Sequence, residues 1–341
     1  MYKRALLAAS VALVVSFSNS IFAEVPQVEV IAEFDQRPGN PSITPEGRIL
    51  LSIHPLDHPA LKVVELNAIG TLVPYPNESF SMGKGSEAQA VIAIRTDDNG
   101  IAWILDLGKR VLTGWDTKHD KQAKKIVLPE SVLLPTSFLQ DFALDQKRNR
   151  IIIADMTQGD LKSAPIPAFI VVDLVSGKAK RLAENHPSMM PDFPNGFALN
   201  PITIDPSYTW VYFGALHGKS IYRVPALSFD GDSQTVESSI EKYGPKPYSD
   251  GISVDGAQNV YITDIESNAI GVTTPKGYQL LASLDKAQSW PDGLSFGPDG
   301  YIYATVNQLN RSAALNQGVD DGVGPYQLVR VKALAEGKTG R

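Results

Sequence analysis

A repeated unit of two short strands joined by a tight turn constrains this sequence more than any other feature. In the clearest copy, residues 290–308, a short strand opens with Asp292-Gly293, residues 297–300 (GPDG) form a turn, and residues 301–306 alternate as a returning strand. Related units precede it, and six recur roughly every 40 to 60 residues, each with three or four predicted strands. With little helical periodicity, this period predicts a β-propeller.

The two ends of the repeat array complement each other. The last unit lacks an outermost strand, whereas residues 28–34 (VEVIAEF) are a spare strand ahead of the first unit. Pairing them would close the ring and remove exposed edges. We therefore predict an all-β fold, a six-bladed β-propeller closed by an N-terminal strand, as a single domain of residues 24–341. The alternative, a β-sandwich or two smaller all-β domains, has to explain six similar units.

Residues 1–23 have the pattern of a signal peptide. They begin with Lys3 and Arg4, continue with an apolar run too short to span a bilayer comfortably, and end with the small residue Ala23 at a plausible cleavage site. An uncleaved membrane anchor is the alternative. Cleavage would give a secreted or periplasmic protein with no membrane partner.

Composition excludes several classes of function. The chain has no cysteine, so it has neither a thiol nucleophile nor a thiolate metal site. Its formal net charge is −6, with no basic stripe, which argues against a nucleic-acid partner. A small-molecule ligand is the expected partner.

Asn and Asp recur where the first strand of each unit opens. In a propeller these strands line the axis, so we expect their opening residues to meet at one mouth of the channel. In two units the opening and closing aspartates are both 14 residues apart, 264 − 250 and 155 − 141. The second unit has Ile92 at this position. The polar openers are Asn40, Asp141, Asn195 or Asn200, Asp250 and Asp292.

The openers are hard oxygen ligands of the kind that Ca²⁺ or a similar divalent cation takes. Close carboxylates also repel one another unless a cation or a shared proton compensates them. We predict a candidate metal site at Asp141, Asn195, Asp250 and Asp292, a ligand site at these residues together with Asn40, and Asp250 as the candidate catalytic base. The alternative is structural, because Asp-Gly and Asn-Gly are common turn dipeptides whose side chains bind backbone N–H groups.

Two histidines lie near the predicted pocket. His54 ends the second strand of the first unit, and His217 follows a strand of the fourth. Either could act as an acid or base, although a structural role is favoured for both.

Several segments resemble the major royal jelly protein/yellow family, and the chain is similar to a bacterial member of it. They are residues 29–34 (EVIAEF), 37–40 (RPGN), 139–145 (LQDFALD), 218–225 (GKSIYRVP) and 290–292 (WPD) leading to 307–311 (NQLNR). The resemblance implies a secreted six-bladed propeller with an axial ligand pocket. Members are variously associated with small-amine binding, dopachrome-type pigment chemistry and storage.

A more distant resemblance is to gluconolactonase-like propellers. In that family a metal-bound pocket hydrolyses sugar lactones, and Asn195, Asp250 and Asp292 match its metal ligands best. The family's glutamate at the opening of the first blade is replaced here by Asn40.

Three functions are compatible with the sequence. The first is a royal-jelly/yellow-like propeller that binds a small molecule in an axial pocket. The alternatives are a divalent-metal-dependent lactone hydrolase and a non-catalytic, partner-binding propeller. Whether the protein is an enzyme stays open; if it is, lactone hydrolysis or a dopachrome-tautomerase-like activity is expected.

Overall fold

The computed structural model describes residues 26–341, so the predicted signal peptide and the domain boundary at residue 24 lie outside it. Within that range, 24 strands form six four-stranded antiparallel sheets. Helices are limited to α1 (Glu78–Ser81), α2 (Ser233–Ser238) and short 3₁₀ turns. None of the helices among these residues has the length and apolar character needed to cross a membrane.

The sheets are the six blades of a propeller, which confirms the predicted fold class. Blade 1 contains β2 (Pro38–Ile43), β3 (Ile49–Ile53), β4 (Val63–Leu66) and β5 (Leu72–Pro74). Blade 2 contains β6 (Val91–Thr96), β7 (Ile101–Asp106), β8 (Val111–Asp116) and β9 (Lys121–Val127). Blade 3 contains β10 (Leu139–Asp145), β11 (Arg150–Asp155), β12 (Ala168–Asp173) and β13 (Ala179–Leu182).

The remaining three blades follow the same order. Blade 4 contains β14 (Leu199–Ile204), β15 (Trp210–Ala215), β16 (Ser220–Pro225) and β17 (Glu241–Pro245). Blade 5 contains β18 (Ser249–Val254), β19 (Val260–Asp264), β20 (Ala269–Thr274) and β21 (Gly277–Ser283). Blade 6 contains β22 (Pro291–Phe296), β23 (Tyr301–Val306), β24 (Tyr326–Lys332) and the N-terminal strand β1 (Glu29–Phe34).

The N-terminal strand completes the sixth blade as predicted. β1 pairs antiparallel with β24, placing Phe34 opposite Tyr326 and Glu29 opposite Arg330. The first strand of every blade is buried along its whole length and contacts the first strands of both neighbouring blades. Closure therefore fixes a ring of six inner strands around the axis.

The hydrophobic core lies between adjacent blades. Phe169 of blade 3 packs edge-on against Phe213 of blade 4, with ring centroids 5.0 Å apart, and also contacts Phe229 at 5.2 Å. All three side chains are fully buried. Because core clusters such as this one join strands of neighbouring blades, packing holds the ring together without any disulfide.

Three outer strands and one inner strand were not predicted from the sequence. β5, β9 and β17 are the outermost strands of their blades, and β9 is exposed and rich in lysine, so it lacks an alternating apolar pattern. The inner strand that is not predicted is β14, which contains Asn200 and Pro201. Pro201 suggested a break, but it lies at a bulge where the ladder pairing is already interrupted.

The C-terminal segment, residues 335–341, closes the channel at the end opposite the mouth. The carbonyl of Arg341 accepts hydrogen bonds from Phe296 N (2.9 Å) and Ser253 Oγ (3.0 Å). The carbonyl of Gly340 accepts from Thr96 N (3.2 Å). Arg341 is only 2% exposed. These bonds reach blades 2, 5 and 6 at once, so the segment ties inner strands together and leaves one mouth for access to the axis.

Candidate functional site at the channel mouth

Each inner strand carries a one-residue β-bulge where it leaves the mouth. In blade 5, Ser249 pairs with Asp264 and the next pair is Ile252 with Ile262. The same irregularity occurs at the start of the other five inner strands. A bulge re-aims the side chains beside it. Six equivalent bulges therefore turn six short segments toward the axis.

Glycines beside two of the aspartates allow the inner strands to approach closely. A Cβ on Gly251 would lie 2.2 Å from the carbonyl oxygen of Asp292, and one on Gly293 would lie 2.9 Å from Cα of Asn40. Only glycine fits at such distances. The Asp-Gly pairs thus belong to strands rather than to turns, and the glycine is required by packing between blades.

The bulged segments enclose a small polar cavity on the axis, of about 10 Å³, which is enough for one ion or water molecule. Four of the five predicted ligand residues line it. Asn195 does not, because it lies exposed in the loop before blade 4. Asn200, the other residue considered for that blade, takes its place. The principal lining residues are Asn40, His54, Ile92, Gln140, Asp141, Asn200, Asp250 and Asp292.

The equal spacing of 14 residues does not reflect an equal register. In blade 5, Ser249 pairs with the closing Asp264, and Asp250 follows Ser249 by one position. In blade 3, Leu139 pairs with the closing Asp155, and Asp141 follows Leu139 by two positions. The hairpin of blade 3 from Leu139 to Asp155 is one residue longer than that of blade 5 from Ser249 to Asp264, which restores the spacing to the closing aspartate. Asp141 nevertheless reaches the cavity because the bulge brings both positions to the axis.

Asp141 forms a buried ion pair inside the channel. Nη2 of Arg95 donates to Oδ2 of Asp141, and Nη1 of Arg95 donates to the carbonyl of Leu294 at 2.6 Å. Both charged side chains are at most 4% exposed. Arg95 comes from the inner strand of blade 2, which has no polar opener. It neutralises Asp141 and occupies the axis next to the cavity.

Asp250 and Asp292 have no such partner. Oδ1 of Asp250 accepts from Asn200 Nδ2 (2.6 Å), and Oδ2 of Asp292 accepts from Asn307 Nδ2. Burial raises the pKa of both carboxyls, and the like charge of Asp250 raises that of Asp292 further, well above its usual range. Among residues 26–341, no lysine or arginine forms an ion pair with either group. The pair is therefore a site that favours a proton or a cation.

His54 lies beside this pair as a neutral imidazole. Burial, followed by the charge of Arg37, lowers its pKa to about 3. Nδ1 of His54 accepts from Leu56 N at 3.4 Å, which leaves the proton on Nε2, and Nε2 lies 4.0 Å from Oδ2 of Asp292. Its position suits a hydrogen-bond donor to a group bound between them. The other candidate, His217, accepts from Phe197 N at 2.8 Å and stacks on its ring, outside the axial cavity.

Two amide oxygens at the cavity lack a hydrogen-bond donor. Oδ1 of Asn40 and Oε1 of Gln140 are both buried, and no group of residues 26–341 donates to either. With the carboxylates of Asp250 and Asp292 they form a set of hard oxygen donors carrying two negative charges, which fits a divalent cation in type and charge. Among the described residues, no three or more His, Asp and Glu side chains are placed together to hold a metal ion.

An apolar roof covers the mouth above the cavity. It borders a second small chamber of about 20 Å³ that shares His54, Gln140 and Asp250 with the polar cavity. The indole Nε1 of Trp290 reaches through the roof and donates to Asp250 at 2.7 Å. The apolar side chains of the roof are Leu56, Phe138, Met156, Leu161, Phe197, Leu216, Trp290, Leu309 and Leu315.

Several residues that shape the site were not predicted from the sequence. Arg95 and Asn307 give no local signal, because each is recognised only by a contact with another strand, and Gln140 is recognised only by its place in the cavity wall. Lys246 is another: it is 3% exposed, its Nζ donates to the carbonyls of Leu216 (3.3 Å) and Pro247 (3.1 Å), and burial lowers its pKa to about 7.

No protein-family model matches this sequence. No curated protein matches it either. Solved structures do match. A protein described as a gluconolactonase aligns with a TM-score of 0.60 at 14% identity, covering 93% of this chain and 94% of that one. Regucalcin, a calcium-binding protein from Agrobacterium tumefaciens, aligns at 0.60 and 16%, covering 93% and 99%.

A third neighbour is a luciferin-regenerating enzyme, with a TM-score of 0.61 at 13% identity, covering 92% of this chain and 98% of that one. At these identities the likeness shows the fold alone. None of the three lends support to the royal jelly/yellow resemblance. The structural neighbours of this chain are gluconolactonase- and regucalcin-like six-bladed propellers.

Proposed function

We propose that the protein binds a hard divalent cation at the channel mouth and hydrolyses a small lactone there. The observation that carries the proposal is the buried pair of Asp250 and Asp292, which forms no ion pair with a lysine or arginine of residues 26–341, beside the unpartnered oxygens of Asn40 and Gln140. Two buried charges without compensation are costly, and a bound cation would remove that cost.

Four oxygens would hold the ion: one carboxylate oxygen from each of Asp250 and Asp292, Oδ1 of Asn40 and Oε1 of Gln140. A divalent cation at this position supplies Lewis-acid polarisation of a carbonyl and a more acidic bound water. Asp141 is not required as a ligand, because Arg95 already neutralises it.

The chain's own residues supply proton transfer. Asn200 and Trp290 each donate to one oxygen of Asp250, which holds that carboxylate in one orientation for accepting a proton from an attacking water. Asp250 can then return this proton to the leaving oxygen of the opened ring, while the Nε2–H of the neutral His54, on the Asp292 side of the cavity, suits a hydrogen bond to the same group. The roof excludes bulk water from both groups.

The cavity is too small for a lactone ring, so the substrate would lie above it, in the space of the roof. Leu309 and Leu315 belong to the long loop between β23 and β24. Arg37 fastens this loop by donating to both carboxylate oxygens of Asp320, at 2.6 and 2.9 Å. Entry of substrate would require the part of this loop that carries Leu309 and Leu315 to move away from the mouth, while Arg37 holds the loop at Asp320.

The fold neighbours support the class of activity. One is described as a gluconolactonase and another as a calcium-binding protein. Of the functions compatible with the sequence, these neighbours support lactone hydrolysis better than the royal-jelly/yellow interpretation. Neither identifies the substrate of this chain.

Turnover of a panel of aliphatic and sugar lactones, followed with a pH indicator with and without added Ca²⁺ or Mg²⁺, tests the proposal. We expect cation-dependent hydrolysis that Asp250→Asn and Asp292→Asn both abolish, while Glu46→Gln, at an exposed carboxylate in the β2–β3 turn, has no effect. Turnover that needs no cation, or that survives both substitutions, would contradict it.

Binding of a small molecule without turnover is the second candidate, and the apolar roof favours it. Aromatic and aliphatic side chains such as Phe138, Phe197 and Trp290 suit an apolar ligand better than a sugar. Saturable binding of a small aromatic amine, with no lactone turnover under any cation, would select this function. The secreted or periplasmic location stays a prediction.

A further inference from the structure

A large groove lies on the same face of the propeller as the channel mouth, between the loops of blades 1, 2 and 3. Its volume is about 930 Å³, far larger than the axial cavity and within the range of small-molecule sites. Three connections form its walls: residues 54–62 after β3, residues 75–90 before β6 and residues 128–138 before β10.

Three lysines line this groove, although the protein as a whole is acidic. They are Lys62, Lys84 and Lys109. Among the described residues none of them forms an ion pair, and none of the residues lining the groove is acidic. On a chain with a net charge of −6, this local excess of positive charge would concentrate anions.

Two of the ammonium groups are held in place by backbone carbonyls. Nζ of Lys62 donates to the carbonyls of Pro59 (2.5 Å) and Ala60 (3.0 Å), and Nζ of Lys109 donates to those of Ser86 (3.0 Å) and Glu87. An ammonium has three donors, so each of the two keeps one N–H that the described residues do not use. Burial also lowers the pKa of Lys62.

The loop that carries Lys84 is open toward the groove. A Cβ on Gly85 would meet no atom within 4 Å, and its backbone is not in the left-handed region. Neither packing nor conformation therefore requires glycine at Gly85. Glycine also lets a backbone approach a ligand closely, and Gly85 is placed to serve that purpose.

The floor of the groove is apolar and leads to the channel mouth. Leu56, Leu107, Pro135 and Phe138 line it, and two of them, Leu56 and Phe138, also line the chamber beneath the roof. The combination of an apolar floor and ammonium groups fits a ligand with an apolar body and a negatively charged group.

We propose that this groove is a binding site for a small amphipathic organic anion, a carboxylate or phosphate attached to an apolar group, held by Lys84, Lys109 and Lys62 over the floor of Leu56 and Phe138. The evidence for this site is the shape and lining of the groove, so it does not depend on the proposed lactone hydrolysis. The negative charge of the axial carboxylates would repel such an anion, which favours its binding in the groove.

A matched pair of fluorescent probes tests the charge requirement. Dansylglycine carries a carboxylate on an apolar ring system, and dansylamide is its neutral counterpart. We expect dansylglycine to bind at least about tenfold more tightly at low salt, and to lose this advantage as salt screens the lysines. Equal affinity for the two probes, or no binding of either at millimolar concentration, would overturn the proposal.

Substitutions place the binding in the groove. Because an exposed ion pair contributes modestly, K84M should weaken dansylglycine binding about threefold and K84M/K109M about tenfold, with dansylamide unchanged. The control K276M removes an exposed lysine in the β20–β21 turn and should change neither probe. G85W fills open space, so it should block both probes at an unchanged melting temperature. Binding that survives G85W, or that K276M weakens as much as K84M, would contradict the assignment.

Discussion

The indole Nε1 of Trp290 donates a 2.7 Å hydrogen bond to Oδ2 of Asp250, across the boundary between blades 6 and 5. Trp290 has a backbone φ of 56°, a conformation that is costly for a large aromatic residue. The bond joins a strained roof residue to the candidate catalytic carboxylate. It therefore orients Asp250 and shields it from water at the same time.

Replacing Trp290 with Phe should destabilise the protein while keeping most of the roof packing. The buried carboxylate of Asp250 loses a donor, which costs about 1 to 3 kcal/mol of unfolding free energy. Urea denaturation measures the loss. Trp115→Phe is the matched control, because its indole donates to the exposed side of Asp120. An equal loss of unfolding free energy in both variants would contradict a stabilising role of the hydrogen bond to Asp250.

The pH dependence of stability should carry the signature of Asp292. Its pKa is raised in the folded protein, first by burial and then by Asp250, so the folded protein keeps a proton that the unfolded chain has released. In the absence of divalent cations, stability contributed by this group is present at low pH and is lost as pH rises from about 4 through the raised pKa.

Asp292→Asn removes that loss, since the amide cannot ionise. We expect the variant to gain about 1 kcal/mol or more over the unmodified protein at pH 8, and little at pH 4, in cation-free urea titrations. The pKa of His54 is lowered to about 3, so the stability contributed by this group is lost as pH falls below about 6.5. Both proteins contain His54, so this contribution cancels in the difference between their stabilities. A variant that is less stable at pH 8 would refute the raised pKa.

Alanine at Gly251 should disrupt the contact between blades 5 and 6. Its Cβ would lie 2.2 Å from the carbonyl oxygen of Asp292, which belongs to the backbone and cannot rotate away. We expect a loss of roughly 3 kcal/mol in a thermal or urea melt. Gly85→Ala, where the new Cβ meets open space, should change stability by less than about 0.5 kcal/mol. Similar losses at both positions would show that the inner strands can separate.

Alanine at Gly340 should loosen the segment that closes the far end of the channel. Gly340 has a φ of +84°, and a Cβ there would lie 2.5 Å from the carbonyl oxygen of Thr96. We expect hydrogen exchange at the amides of Thr96 and Phe296 to rise about tenfold or more, since both bond to this segment. Gly318→Ala is the control, with a φ of +87° but open space around it. Unchanged exchange at Thr96 would contradict the closure.

The fold was predictable because strand repeats and the spare N-terminal strand are local patterns. The outer strand β9 is not predicted because its side chains, three of the seven lysine and most of them exposed, carry no apolar alternation. Pro201 hid β14, since proline normally ends a strand and here lies at a bulge. Because β14 does not read as a strand, the sequence favours Asn195, in the preceding loop, over Asn200 as the metal ligand of blade 4.

The site was predictable only as far as the openers themselves. Asn40, Asp141, Asp250 and Asp292 do line one cavity. Their partners lie far away in the chain: Arg95 is 46 residues from Asp141, and Trp290 is 40 residues from Asp250. Such pairs depend on how blades abut, and a sequence pattern within one blade does not contain that information.

The most direct test of the central claim is a thermal melt of the chelated protein with increasing Ca²⁺, run beside Asp250→Asn and Asp292→Asn. A cation that binds only the folded state raises the melting temperature, by an amount that grows with its concentration. We predict such a rise for the unmodified protein, together with about one bound ion per chain, and none for either variant. No rise at millimolar Ca²⁺ or Mg²⁺, or the same rise in all three proteins, would contradict a cation site at Asp250 and Asp292.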